Sequence, residues 1–201
     1  MTRITRAATT IGLCAAAGLA ACGSPATTSP SSSASAAPSS SATGSSSPSS
    51  QRSNPAGIAL TVAELPPGGP ALTQISDGEM NNTANTDQRG FANTGNTYRI
   101  EDDVLLDTSS QAAAADYAQL RDATKGQLAT VSSSSTPSGL GAQADEYIGK
   151  TSAGYSEVGI TFQDGNVIAI VLIVDSSGTV APAYAEAVAR AQVQKIATGS
   201  D

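Results

Sequence analysis

The acidic residues are the first place to look for chemistry in this chain. Glu101, Asp102, Asp103 and Asp107 form its densest acidic cluster, and Asp145-Glu146 a second. Paired carboxylates serve as acid and base in glycoside hydrolysis when they face each other across a cleft. Adjacent residues on one strand point to opposite faces, so Asp102 and Asp103 cannot line the same cleft. The pairing such chemistry needs is Glu101 or Asp103 with Asp145 or Glu146, separated by about 5–10 Å. A charged, soluble edge strand accounts for the first cluster with less assumption. Asp77, Glu79 and Asn81 open a calcium-loop pattern, but its sixth position is Asn82 where the sharp turn needs glycine, and its twelfth is Gln88, not a bidentate glutamate. A solvated Asn-rich loop is the better reading.

Other motifs fail on context. Gly139-Leu140-Gly141-Ala142-Gln143-Ala144 fits a relaxed dinucleotide-binding pattern, yet it follows a Ser-rich loop and precedes a strand, without the required strand–helix setting. It reads as a turn. Gly149-Lys150-Thr151 has the form of the end of a phosphate-binding loop, but the first glycine of that loop would fall at Ala144. The residues three before Lys125, Lys150 and Lys195 are Asp122, Tyr147 and Gln192, so no Ser-x-x-Lys nucleophile pair exists. The chain has no histidine, and its only cysteines are Cys14 and Cys22. That removes the Ser-His-Asp triad, the Cys-His dyad and the usual zinc and copper ligands.

Cys22 carries a different signal. Leu19-Ala20-Ala21-Cys22 followed by Gly23 has the form of a bacterial lipobox. Arg3 and Arg6 supply a positive n-region, and the apolar run from Ala7 to Leu19 is too short to span a bilayer comfortably. The expected cleavage falls before Cys22, leaving it lipidated at the mature N-terminus. Cys14 is excluded as the lipidation site because bulky Leu13 stands where a small residue is required. With Cys14 lost in the leader, no disulfide is possible.

Three segments follow: residues 1–21 as signal peptide, 22–54 as lipidated cysteine and tether, and 55–201 as an extracytoplasmic domain. Residues 23–54 are almost entirely Ser, Ala, Pro and Thr, a composition with too little apolar side chain to offset the entropy of ordering. As a coil this tether holds the domain roughly 30 Å from the lipid, with about 100 Å as the extended limit. Residues 55–201 carry all 17 acidic residues and every basic one of the 10 except Arg3, Arg6 and Arg52, a net charge of −10. Such a domain repels nucleic acid and anionic lipid at long range. With no tryptophan and only two phenylalanines, it also lacks the aromatic platforms of base-binding surfaces.

Within the domain, apolar patterning places strands at Ile58–Leu65, Ala71–Ile75, Tyr98–Leu106, Gln143–Ile148, Val158–Gln163 and Val167–Val174. Residues 76–96 and 132–138 read as loops. A helix begins near Gln111, capped by Asp107, Thr108 or Ser109, and buries Ala113, Tyr117, Leu120 and Thr124. Asp164-Gly165 offers the positive-φ positions of a type I′ hairpin. Val167–Val174 is continuously apolar and so predicts a central strand covered on both faces. A last helix over Val180–Ala197 carries Pro182 in its first turn, with Ala185, Val188, Ala189, Val193 and Ile196 on its apolar side. The expected class is α+β: a single antiparallel β-sheet with two main helices packed on one face.

Leu65-Pro66-x-Gly68, the Ala-rich helix over Gln111–Leu128, Ser138-Gly139-Leu140-Gly141, Phe162-x-x-Gly165-Asn166-Val167 and Ala189-Arg190-Ala191-Gln192 occur in an order that resembles exported or lipid-anchored domains of high-GC Gram-positive (actinobacterial) bacteria. That resemblance spans most of residues 58–197. Similar sequences tend to be basic at the hairpin, whereas this chain has Gln163-Asp164, against an anion-binding role there. The group has no established activity, so the resemblance transfers no catalytic residue. The order of elements is also similar to the PsbP/Mog1-type fold, which implies binding or assembly work.

The expectation is a lipid-anchored lipoprotein on the outer face of the cytoplasmic membrane, acting as a non-enzymatic binding or assembly module. Its partners are the membrane, through the lipid on Cys22, and a hydrophobic small molecule or an envelope protein. Nucleic acid, a cofactor and a metal are not expected. The alternatives are a carboxylate-based envelope hydrolase and a sensor or regulatory partner of a membrane protein.

Overall fold

A computed structural model describes residues 52–78 and 85–199, all within one compact unit, Ser46–Asp201. Its strands are β1 (Thr73–Gly78), β2 (Thr86–Ala92), β3 (Tyr98–Leu106), β4 (Thr130–Ser135), β5 (Gln143–Lys150), β6 (Ser156–Asp164) and β7 (Val167–Asp175). Helix α1 (Ser110–Gly126) joins β3 to β4, and α2 (Pro182–Thr198) ends the fold. The strands form one sheet in the order β1-β2-β3-β7-β6-β5-β4, antiparallel throughout. The expected α+β class, with a single antiparallel sheet and two main helices, holds.

The helices do not share a face. Ile168 of β7 packs with Ala113, Tyr117 and Leu120 of α1, with Leu105 and Ile170 alongside. Val167, Ala169, Val171 and Ile173 of the same strand pack instead with Ala185, Val188, Ala189 and Ile196 of α2. Alternate residues of a strand point to opposite sides, so α1 covers one face and α2 the other. The reason lies in β7 itself. A strand apolar on both sides needs cover on both sides.

The α2 face has a second cover. Ile58, Ala59 and Leu60 are buried in the same core as Phe91, Ile100 and Val104 of β2 and β3. Residues 52–60 thus form a strap over the half of the face that α2 leaves free. Residues 58–65, expected as a strand, contain only the short 3-10 turn Val62–Glu64.

β2 lies where a loop was expected, and so does most of β4. The sequence of β2, TDQRGFA, has little apolar periodicity, yet it pairs with β3 along its whole length and with β1 from Gln88 to Ala92. β4, TVSSSS, is exposed at every position and held only through β5. The β6–β7 turn has Gly165 and Asn166 at its centre, because Asp164 pairs with Val167. Gly165 has φ 62°, and neither Asp164 nor Asn166 is positive, which is the type II′ pattern in place of type I′.

The helices follow their sequence signals closely. Ser109 Oγ accepts from Ala112 N at 3.1 Å, capping α1, whose buried residues are the expected Ala113, Tyr117, Leu120 and Thr124. In α2, Pro182 occupies the first turn. Gln192 is buried there and Val193 only half-buried, because Gln192 Nε2 donates to Ile58 O of the strap at 2.8 Å.

Candidate functional site

The unusual chemistry of the fold sits beneath the strap. β3 is an interior strand, paired with β2 and β7, so the acidic cluster is not a solvated edge. Asp102 and Asp103 point to opposite faces, and both are buried. On the α2 face Asp102 is fully enclosed; it accepts from Leu60 N at 2.6 Å, and its Oδ1 has no hydrogen-bond partner. Beside it, Asp87 accepts from Ala59 N at 3.0 Å. Two buried carboxylates therefore grip consecutive amides of the strap. Burial pushes the Asp102 carboxyl up to about 7, opposed by the Leu60 N–H and reinforced by the charges of Asp103 and Asp87.

Arg89, on β2, sets the charge balance here. Its Nε lies 2.9 Å from Asp77 and 3.9 Å from Asp87. Between these residues and the strap at Asn54–Gly57 lies a cleft of about 280 Å³, with Gly78 and Thr86 on its wall. A smaller cleft of about 40 Å³ undercuts the strap on its other side, against Lys195 and Gly199. The larger cleft mixes the apolar surface of Pro55 and Ala56 with the charges of Asp77, Asp87 and Arg89.

Arg52, which sequence reading leaves in the tether, is docked in the fold. Its N donates to Asn166 Oδ1 at 2.8 Å, and Asn166 Nδ2 returns a bond to Arg52 O at 2.9 Å. Its guanidinium donates to Ile196 O, from Nε at 2.9 Å and also from one terminal nitrogen, and to Gly199 O. A cation at a helix C-terminus meets both unsatisfied carbonyls and the negative end of the dipole. The packed part of the chain therefore starts at least three residues before Pro55.

The other expected site residues are dispersed. On the α1 face, Asp103 accepts from Gln88 Nε2 at 2.7 Å, and burial lifts its carboxyl to about 7. Asp145, also on that face, accepts from Tyr117 Oη at 2.9 Å. Register puts Ile170 and Thr161 between Asp103 and Asp145. Three strand spacings separate them, roughly 14 Å. Glu101 lies 3.7 Å from Arg99. Glu146 faces the opposite way from Asp145, accepts from Ser135 Oγ at 3.1 Å, and is shifted upward by burial. Asp107 is raised by burial and by Asp116. The carboxylate pairing Asp103–Asp145 is not assembled, nor is any that pairs Asp103 with Glu146 across the sheet.

Glu79, Asn81 and Asn82 of the calcium-loop pattern lie outside the described residues, as do Leu19, Ala20, Ala21 and Cys22. Asp77 is engaged by Arg89, and Gln88 by Asp103. Among the described residues, no group of three or more His, Cys, Asp or Glu side chains could hold a metal ion. Gly139 and Gly141 have φ 76° and 75° in a turn that delivers Ala142 N to Gln163 O at 2.8 Å, so the glycine pattern shapes the approach to β5.

Sequence reading missed Arg52, Asp87 and Asn166. One signal was available: Arg52 is the only basic residue between Arg6 and Arg89. A single cation at the edge of a long polar tract marks a docking point.

The class that fold and site define is a single-sheet α+β domain with a strap, residues 52–60, held over one face of the sheet by buried carboxylates. No family model matches the chain, and no curated protein matches it. Among solved structures it is similar to the extracellular domain of PknH from Mycobacterium tuberculosis, with 13% identity and a TM-score of 0.42 over 56% of this chain and 63% of that one. The match thus spans less than two thirds of that domain. A likeness of this size assigns neither a fold family nor a function.

Proposed function

We propose that this protein is a lipid-anchored extracytoplasmic module whose work is binding or assembly, not catalysis. The observation that carries the reading is the lipobox, Leu19-Ala20-Ala21-Cys22, joined by a Ser/Ala/Pro/Thr tract to a fold in which Arg52 is already docked. Lipid on Cys22 is the membrane attachment. No helix among the described residues is long and apolar enough to cross a bilayer, so attachment through the N-terminus fits the domain's own composition. The non-enzymatic part is supported by the use made of the acids. Asp87 and Asp102 hold backbone amides, and Asp103 and Asp145 hold Gln88 and Tyr117. Asp77, Asp87 and Arg89 put charge on the wall of the larger cleft, which favours an envelope protein over a hydrophobic small molecule as partner.

Fractionation tests the reading. The wild-type chain should sediment with membranes and leave them only in detergent. Cys22→Ala should appear in the soluble or secreted fraction, or retain its leader. Equal membrane association of both chains, with the leader removed from Cys22→Ala, would refute anchoring through Cys22.

A further inference from the structure

The junction between tether and fold is built around one peptide bond. Arg52 is 8% exposed, whereas Ser53 and Asn54, on the other side of that bond, are exposed. The strap then arches over clefts on both sides before it is gripped again at Ile58–Leu60. The second grip does not use Arg52. Gln192 donates to Ile58 O at 2.8 Å, Asp87 and Asp102 accept from Ala59 and Leu60, and Lys195 meets Glu64 at 2.6 Å. Arg52 can therefore lift while the strap beyond residue 57 stays in place.

An arginine-directed endoprotease must take the guanidinium into its own specificity pocket. In the docked state that group is held on the last carbonyls of α2 and cannot be taken. No other Lys or Arg lies between Arg6 and Arg89. We infer that Arg52 is a latch over its own peptide bond: docked, it shields Arg52–Ser53 from an arginine-directed endoprotease, and lifted, it exposes the one such bond whose hydrolysis frees residues 53–201 from the anchor. Water adds across the amide, leaving a carboxylate on Arg52 and an amine on Ser53, with no further reactant. The released module keeps the grip at Ile58–Leu60 and so stays folded. The consequence, release from the membrane, rests on the proposed lipidation of Cys22; the latch itself does not.

Trypsin acting on the full, anchored chain in phosphatidylcholine–phosphatidylglycerol vesicles is the test, read by mass spectrometry as the rate at which a Ser53 N-terminus appears. A peptide of residues 46–58 is the unlatched reference. Cleavage in the protein should be about 100-fold slower than in the peptide, because two or more charge-assisted hydrogen bonds must break and cleavage tracks the open population. Arg52→Lys keeps a residue trypsin accepts but loses the fork, and should raise the rate about 10-fold. Asn166→Ala should raise it as well while the thermal transition stays cooperative. Cleavage of the wild-type protein as fast as the peptide would overturn the latch, as would an unchanged rate in Arg52→Lys and Asn166→Ala. If the anchoring reading fails, the chain will not be on the vesicles at all, and the rate comparison still judges the latch.

Discussion

Leu60 N donates to Asp102 across 2.6 Å, in a site from which Asp102 has no access to water. A carboxylate buried with one oxygen unpartnered is costly when ionised, and that cost gives the fold a definite pH dependence. Asp102 and Asp103 have folded-state values of about 7 against an ordinary 3.8. Between those values the folded form holds protons that the unfolded form has released. The contribution is fully present below about pH 4 and is lost as pH rises through about 7. The urea midpoint should therefore be higher at pH 5 than at pH 8. Glu64, lowered through Lys195 and Thr61, acts in the opposite sense, but it is half exposed and works only at more acid pH. A midpoint that rises from pH 5 to pH 8 would contradict this account of both aspartates.

Asp102→Asn keeps an acceptor for Leu60 N and removes the charge. It should stabilise the protein at pH 8 and flatten the dependence on pH. Asp102→Ala leaves the amide buried without its acceptor, which costs about 1–3 kcal/mol. Chemical denaturation of the two variants at pH 5 and pH 8 separates charge from hydrogen bonding.

Under α1, the Tyr117 hydroxyl lies 2.9 Å from Asp145 and 3.2 Å from Thr161 O. Tyr117→Phe should cost about 1 kcal/mol in urea denaturation without altering the far-ultraviolet circular dichroism. No change in midpoint would show that this bond contributes nothing net.

At Gly159 of β6, Thr124 of α1 packs directly on the sheet. A methyl there would stand 2.7 Å from Thr124 Cγ2 and 3.2 Å from Leu172 Cδ2. Gly159→Ala should lower stability by about 1–3 kcal/mol through overpacking, and Thr124→Ser in the same chain should recover part of it. A neutral Gly159→Ala would mean that the helix is free to shift.

A domain beginning at Ser46 should melt higher than one beginning at Pro55, because only the longer chain caps α2 with Arg52. Differential scanning calorimetry of the two chains checks this, with Arg52→Ala in the longer chain expected to melt between them, because it keeps the backbone bonds to Asn166. Identical transitions would show the docked arginine to be energetically idle.

What could be read from the sequence follows from how locally each element is encoded. α1 carries its cap and buried stripe in adjacent residues, and β6 and β7 carry their alternation and apolar run, so all three were legible. β2 was not, since Asp87, Gln88 and Arg89 find their partners in the strap, in β3 and in β1, far away in sequence. β4 has no apolar face because it buries nothing. The acids of β3 suggested an exposed edge, but distant amides and an amide side chain allow them to be interior. The continuous apolar run of β7 already implied cover on both faces, and this is what separates the helices.

The most direct measurement is the mass of the N-terminal peptide of the mature protein, isolated from a Gram-positive host that processes lipoproteins. The account predicts a chain that begins at Cys22, with diacylglycerol on its sulfur. A mature chain that begins elsewhere, or an unmodified Cys22, would contradict it.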